Sequence, residues 1–184
     1  MVSGVAPDGN GSLDPEPPPS AEDGAGPEDE SADGATIAGV FDGARVVDLY
    51  AGTGALGIEA LSRGARQVDF LDSSPVCQRL IRENLRGTGL AERGRVVGAS
   101  LPVALERGGA LGPYDLALLD PPYGDPSLER TLAALEKRGL LAPAALVVVE
   151  HSRRGELGAD QGRLRLIRRR RHGDTEISIY RREA

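Results

Sequence analysis

Apolar and polar positions alternate in blocks from residue 45 onward. Short runs of branched apolar residues are separated by stretches with helical spacing. The run 46–50 predicts a buried strand, and 55–63 a helix opened by a glycine-rich turn and closed at Gly64. Residues 68–72 predict a second strand. Ser74 stands ready to cap the next helix, with Pro75 at its first position. Val76, Leu80, Ile81 and Leu85 form one apolar face of that helix before Gly87. A third strand is expected over 95–99, a short helix over 101–107, and a fourth strand over 116–120, ended by two prolines. Asp125 is expected to cap a helix from Pro126, with Leu128, Leu132 and Leu135 on one face and Gly139 past its end. A very apolar fifth strand covers 145–150. Residues 163–170 and 176–180 alternate around the turn-like His172, Gly173 and Asp174, and predict a terminal antiparallel hairpin.

Strands alternating with helices predict an α/β fold: a doubly wound, mostly parallel sheet covered on both faces, with the hairpin at its C-terminal edge. Ligands of such sheets bind beyond the carboxyl ends of the strands. Chemistry is therefore expected after Tyr50, Asp72, Ala99 and Asp120.

Composition divides the chain. Residues 1–36 carry nine of the 28 acidic residues and none of the 22 basic ones, so a net charge of −6 conceals a mildly basic body. Rich in Pro, Gly and Ser and poor in apolar side chains, this stretch is expected to be a disordered acidic tail, with 37–184 forming the folded domain. A basic body is compatible with a nucleic-acid partner without establishing one. A single cysteine, Cys77, excludes an intrachain disulfide framework. No apolar run is long enough for a membrane span, and no secretory signal is visible, so the expected location is cytoplasmic. No His/Cys cluster has metal-ligand spacing, and no metal is expected. The expected state is a monomer.

Three constellations carry chemistry. The first is 48–57 (DLYAGTGALG), where Gly52, Gly54 and Gly57 follow a strand and open a helix. Glycines there permit a tight turn and close approach of a ligand to the backbone. By itself the pattern also fits a nicotinamide-dependent oxidoreductase, or a turn with no ligand. Asp48, ending the first strand, shifts the balance, because a carboxylate favours a cationic ligand such as the ammonium and sulfonium of S-adenosylmethionine over an anionic pyrophosphate. The second is Asp72, about 20 residues past the glycines, where an acceptor suits a ribose diol; its plainer reading is a carboxylate at a helix N-terminus. Ser100, after the third strand, either meets an adenine edge or caps the next helix.

The third and most specific is Asp120, Pro121, Pro122 and Tyr123, directly after the fourth strand. An amino group conjugated to a base ring is a poor nucleophile, since its lone pair is delocalised. An acceptor at Asp120 and the Pro121 carbonyl can hold both hydrogens and aim that lone pair at a methyl donor. The prolines stiffen the turn and add no competing N–H. Tyr123 can stack on a base taken out of its helix. The plain alternative is a strand end terminated by prolines. Arg168 to Arg171, with His172, form a basic cluster suited either to phosphates or to a solvated strand edge. Glu59 is most simply paired with Arg63 four residues on. Glu150 and His151 end the fifth strand with no motif to fix a role.

Together, 48–65 (DLYAGTGALGIEALSRGA), 120–123 and Gly173, Asp174, Thr175 and Tyr180 resemble the RsmD family of class I methyltransferases. The resemblance covers roughly residues 43–184. It implies a Rossmann-like domain that uses S-adenosylmethionine to methylate the N2 amino group of a guanine in 16S ribosomal RNA, free or in the small subunit. It implies that Asp48, Tyr50, Gly52, Gly54, Asp72 and Ser100 serve the donor, and that Asp120, Pro121, Pro122 and Tyr123 are catalytic. The family's basic N-terminal arm and its T-R-P-T helix have no counterpart in residues 1–42. Two other readings remain: a D-P-P-Y methyltransferase acting on DNA adenine or a protein amide, and a binding module with the same fold and little or no activity.

Overall fold

The structure, a computed structural model, describes Met1 and residues 39–108, 111–153 and 157–183. The acidic stretch 1–36, expected to be a disordered tail, lies outside the described residues apart from Met1. The described strands are β1 (Arg45–Leu49), β2 (Gln67–Asp72), β3 (Gly94–Gly98), β4 (Tyr114–Leu119), β5 (Leu141–Ser152), β6 (Asp160–Gln161), β7 (Leu164–His172) and β8 (Thr175–Arg182). The helices are α1 (Ala55–Ser62), α2 (Pro75–Gly87), α3 (Val103–Arg107) and α4 (Leu128–Lys137).

All eight strands join one sheet in the order β3-β2-β1-β4-β5-β8-β7-β6. The first five in that order run parallel, and β8 is antiparallel to both β5 and β7. The expected hairpin is therefore present, with its second strand inserted between the first and the parallel sheet. The reversal between β1 and β4, where one chain direction of winding gives way to the other, is the switch point at which such sheets bind ligands.

Side chains alternate between two cores. On one face Val46, Val68, Phe70, Leu116 and Leu118 pack under Ala60 and Leu61 of α1 and Ile81 and Leu85 of α2. On the other, Val47, Leu49, Ala117, Leu119 and Val147 pack under Leu105 of α3 and Leu132 and Leu135 of α4. The first face is tight at Gly57, where an added Cβ would stand 2.3 Å from a ring carbon of Phe70. No helix among the described residues is long and apolar enough to cross a membrane.

Two local expectations are corrected, and one short strand is added. The helix after the double proline starts at Leu128, not Pro126, because Asp125 accepts from both the N–H and the hydroxyl of Ser127 and holds a turn there. The fifth strand begins earlier, at Leu141, through an irregular register and a left-handed Ala144 (φ 59°). The two-residue β6 has too short a pattern to be read from sequence.

Asp69, in mid-β2, is fully buried and sits at a four-strand junction. It accepts from Arg95 at 2.8 and 2.6 Å and from the Tyr114 hydroxyl at 2.7 Å, and lies 3.6 Å from Arg45. Burial, and next the bond to Asp69, hold the Tyr114 hydroxyl well above its ordinary pKa. This carboxylate ties β1, β2, β3 and β4 together at the end of the sheet away from the glycine loop.

Candidate active site

The site begins at the carboxyl end of β1. The chain leaves the strand through Tyr50 in a left-handed conformation (φ 60°), and Gly52 (φ 55°) and Gly54 (φ 81°) complete the turn into α1. Two carboxylates hold this loop from below and beside. Asp72 Oδ2 accepts the Gly52 N–H at 2.9 Å, while its Oδ1 accepts from Ser74 N–H at 2.8 Å. Asp48 Oδ2 accepts the Gly57 N–H at 2.9 Å, at the start of α1, and is 1% exposed. Burial pushes the Asp48 carboxyl up to about 7; the Gly57 N–H opposes this, and the neighbouring carboxylates Asp120 and Asp72 add to it.

A cleft of about 980 Å³ opens over this loop. Of the donor-site expectations, Tyr50, Gly52, Asp72 and Ser100 line it. Asp48 and Gly54 do not. Asp48 lies behind the loop as a buried support, and Gly54 caps α1. Ser100 also precedes α3, where its carbonyl accepts the Ala104 N–H, but the N-cap position is Pro102 and no side chain caps that helix. The Tyr50 hydroxyl bonds to Thr131 Oγ1 of α4 at 2.9 Å, which fixes the ring across the cleft. Burial, before any hydrogen bond, raises that phenol above its usual range.

A second cavity, about 420 Å³, lies on the far side of the double-proline loop. Residues 120–125 and Glu150 line both spaces; Leu128, His151 and Ser152 line only the second. The sequence left His151 without a role and gave no sign of Leu128 or Ser152 at the site, because the end of β5 and the start of α4 come beside the end of β4 only through the tertiary fold. Asp120 is exposed at that junction and Pro121 is buried under it. The Pro122 carbonyl takes the Asp125 N–H at 3.0 Å. No such bond reaches the Pro121 carbonyl among the described residues. Burial opposes, but the Ser127 N–H and hydroxyl outweigh it, to hold the Asp125 carboxyl below its ordinary value. Tyr123 is 73% exposed, and its hydroxyl meets Thr175 Oγ1 of β8 at 2.8 Å.

Behind the second cavity, His151 Nε2 bonds to the buried Ser178 hydroxyl at 2.9 Å and stands 3.6 Å from Glu176. Arg169 (3.0 Å) and Arg171 (2.8 Å) converge on the same buried Glu176. Burial works against its ionisation, but these arginines hold its carboxyl below the ordinary value. The basic cluster is thereby split. Arg169 and Arg171 share a sheet face with Glu176 and Ser178. Arg168 and Arg170, opposite Ile179 and Ile177, project from the other face with Arg181. Those three form no ion pair among the described residues.

A parallel α/β sheet with a glycine turn after β1, a carboxylate after β2 and an Asp-Pro-Pro-Tyr loop after β4 defines a class I S-adenosylmethionine-dependent methyltransferase. Solved structures share this fold: a conserved hypothetical protein of Streptococcus pyogenes superposes with a TM-score of 0.73 at 29% identity over 83% of this chain and 96% of that one. An RNA methyltransferase from Salinibacter ruber, in complex with S-adenosyl-L-homocysteine, shares the fold (TM-score 0.60, 19% identity, 80% and 86% covered). The family described as Conserved hypothetical protein 95 matches residues 34–181. Ribosomal RNA small subunit methyltransferase D of Escherichia coli K12 is 33% identical over 148 residues, 80% of this chain and 73% of its own. The chain belongs to this family, the RsmD methyltransferases.

Proposed function

We propose that this chain transfers a methyl group from S-adenosylmethionine to the exocyclic N2 amino group of a guanine in 16S ribosomal RNA, acting on the RNA or on the small ribosomal subunit. One observation carries the reading. The 120–125 loop walls two spaces at once, so a group held at Asp120 faces the space over the glycine loop.

The donor fits that space by its chemistry. Asp72 keeps free lone pairs for a ribose diol beyond its two backbone bonds, Gly52 offers close backbone approach, and Ser100 stands at the third strand end. Asp48, behind the loop, supplies negative potential toward a cation without itself forming the wall. Bound there, the donor supplies an electrophilic methyl carbon on sulfur.

The chain's own groups act on the acceptor. Asp120 and the Pro121 carbonyl accept the two amino hydrogens and turn the nitrogen lone pair toward the donor space. As the N–C bond forms and the C–S bond breaks, the nitrogen becomes cationic and its proton passes to the Asp120 carboxylate. Proton loss from such a nitrogen needs no strong base, so His151 and His172 need not act. Tyr123, exposed and tethered at its hydroxyl, presents a ring face for the extruded base. This chemistry asks for no metal and needs one chain only, in the cytoplasm where ribosomes are made.

The test is tritiated-methyl transfer to small-subunit particles from cells lacking the modification, beside donor binding by calorimetry. Asp120→Ala is expected to reduce turnover far more than it weakens donor binding, the mark of a contact made with the reacting group. Tight NAD binding with no response to S-adenosylmethionine would overturn the reading.

A further inference from the structure

The two spaces share, besides the 120–125 loop, one residue from another strand: Glu150. β4 and β5 are in parallel register up to Leu119 and Val149, so Asp120 and Glu150 are the next pair along. Paired strands run about 4.8 Å apart, so Asp120 and Glu150 leave the sheet side by side, each one residue past the last paired positions. Unlike Glu176, Asp72 and Asp125, Glu150 makes no hydrogen bond or ion pair among the described residues. It is half-buried. A half-buried carboxylate with nothing to accept from, set beside the residue that holds the reacting amine, is placed for a donor on the ligand.

The chemistry of the bases says which donor. In adenine and cytosine the ring nitrogen next to the exocyclic amino group is an acceptor. A second carboxylate there would face lone pair against lone pair. In guanine one of the two ring nitrogens flanking the amino-bearing carbon, N1, carries a hydrogen. Two adjacent carboxylates therefore match guanine's N2 amino and N1–H together, and mismatch the other two amino-bearing bases.

We propose that Glu150 is the specificity-determining residue of the acceptor space, accepting the N1–H of the target base and so restricting methylation to guanine. This rests on the reading of Asp120 as the holder of the reacting amine. A site built to bond a ligand N–H rejects an analogue lacking it strongly, because its buried acceptor is left unpaired.

The experiment uses the full chain and small-subunit particles reconstituted with 16S RNA bearing either guanine or 2-aminopurine at the position the wild-type protein methylates. 2-Aminopurine keeps the N2 amino group but has an acceptor at N1. Wild type is expected to favour guanine in kcat/KM by on the order of 100-fold or more. Glu150→Gln presents an amide donor as well as an acceptor. It is expected to lose at least about tenfold on guanine and to narrow the guanine-to-2-aminopurine ratio at least about tenfold. Glu150→Ala should lose activity on guanine with no gain on 2-aminopurine, and serves if the glutamine variant is unstable. Affinity for S-adenosylhomocysteine is read in parallel. An unchanged base ratio in Glu150→Gln would overturn the proposal, as would a fall in S-adenosylhomocysteine affinity that accounts for the whole loss. Failure of the wild-type chain to methylate any particle would instead strike the underlying function.

Discussion

Substituting Asp48 by Asn tests how the glycine loop is supported. The carboxyl is 1% exposed and its pKa is raised from 3.8 to about 7, chiefly by burial. In the unfolded chain it ionises near 3.9. The folded state thus holds a proton that the unfolded state has already lost. The linkage runs opposite to that of a salt-bridged carboxylate: stability is full below about pH 4 and is lost progressively as pH rises to about 7. At about 1.4 kcal/mol per unit, the loss above pH 7 is on the order of 4 kcal/mol. Asn removes the ionisation and keeps an oxygen for the Gly57 N–H, now met at 2.9 Å. Urea unfolding is therefore expected to show Asp48→Asn gaining over wild type by about 1.5 kcal/mol at pH 5 and by about 4 kcal/mol at pH 8.5. Function should move the other way. A bound cation favours the ionised carboxylate, so wild-type affinity for S-adenosylmethionine should rise from pH 5.5 to 8, while that of Asp48→Asn stays flat and weaker. A stability difference independent of pH, or an Asn variant less stable at both values, would refute the argument.

Other outcomes follow from the same geometry. Tyr123→Phe and Thr175→Val each remove the 2.8 Å bond that fixes the exposed ring; their effects on kcat/KM should be non-additive, with a coupling of about 0.5–1.5 kcal/mol in a double-mutant cycle. Gly57→Ala would place a methyl 2.3 Å from the Phe70 ring, and should cost about 1–3 kcal/mol in urea unfolding by forcing α1 off the sheet. Replacing Arg168, Arg170 and Arg181 by Gln should reduce the salt slope of ribosomal RNA binding by about 2–3 in filter-binding titrations. Arg169→Gln and Arg171→Gln, whose charges already meet Glu176, should chiefly lower the melting temperature.

The sequence announces this fold because its signals are local. The five parallel strands, their helices and the final hairpin each carry their own periodicity and caps, such as Ser74 accepting from the Cys77 N–H at 3.4 Å. The double-proline loop was legible for the same reason. What the sequence withheld depends on strand order. Nothing near Asp69 announces that Arg45, Arg95 and Tyr114 gather around it from three other strands. The charges of Arg168 to Arg171 read as one run, yet a bulge between Leu166 and Arg168 and a two-residue period sort them onto opposite faces. Asp48 was picked out by its place at the strand end, but whether a carboxylate there forms the wall or the support behind it is a matter of burial, which one residue of register decides.

The insertion of β8 between β5 and β7 also bears on how this protein stays in solution. The run Ala145, Leu146, Val147, Val148 and Val149 is apolar, uncharged and ends in three β-branched valines, the composition that templates strand-on-strand aggregation when left at an open edge. Here β4 pairs with one side of it and β8 with the other, so no edge is offered. The exposed rim on that side of the sheet passes instead to β7 and β6, rich in arginine and short, respectively, which are two of the devices that keep sheet edges from pairing. Removing the hairpin would expose β5 along its length, and truncated chains should precipitate before any loss of catalysis can be read. Point substitutions, not deletions, are the way to question this edge.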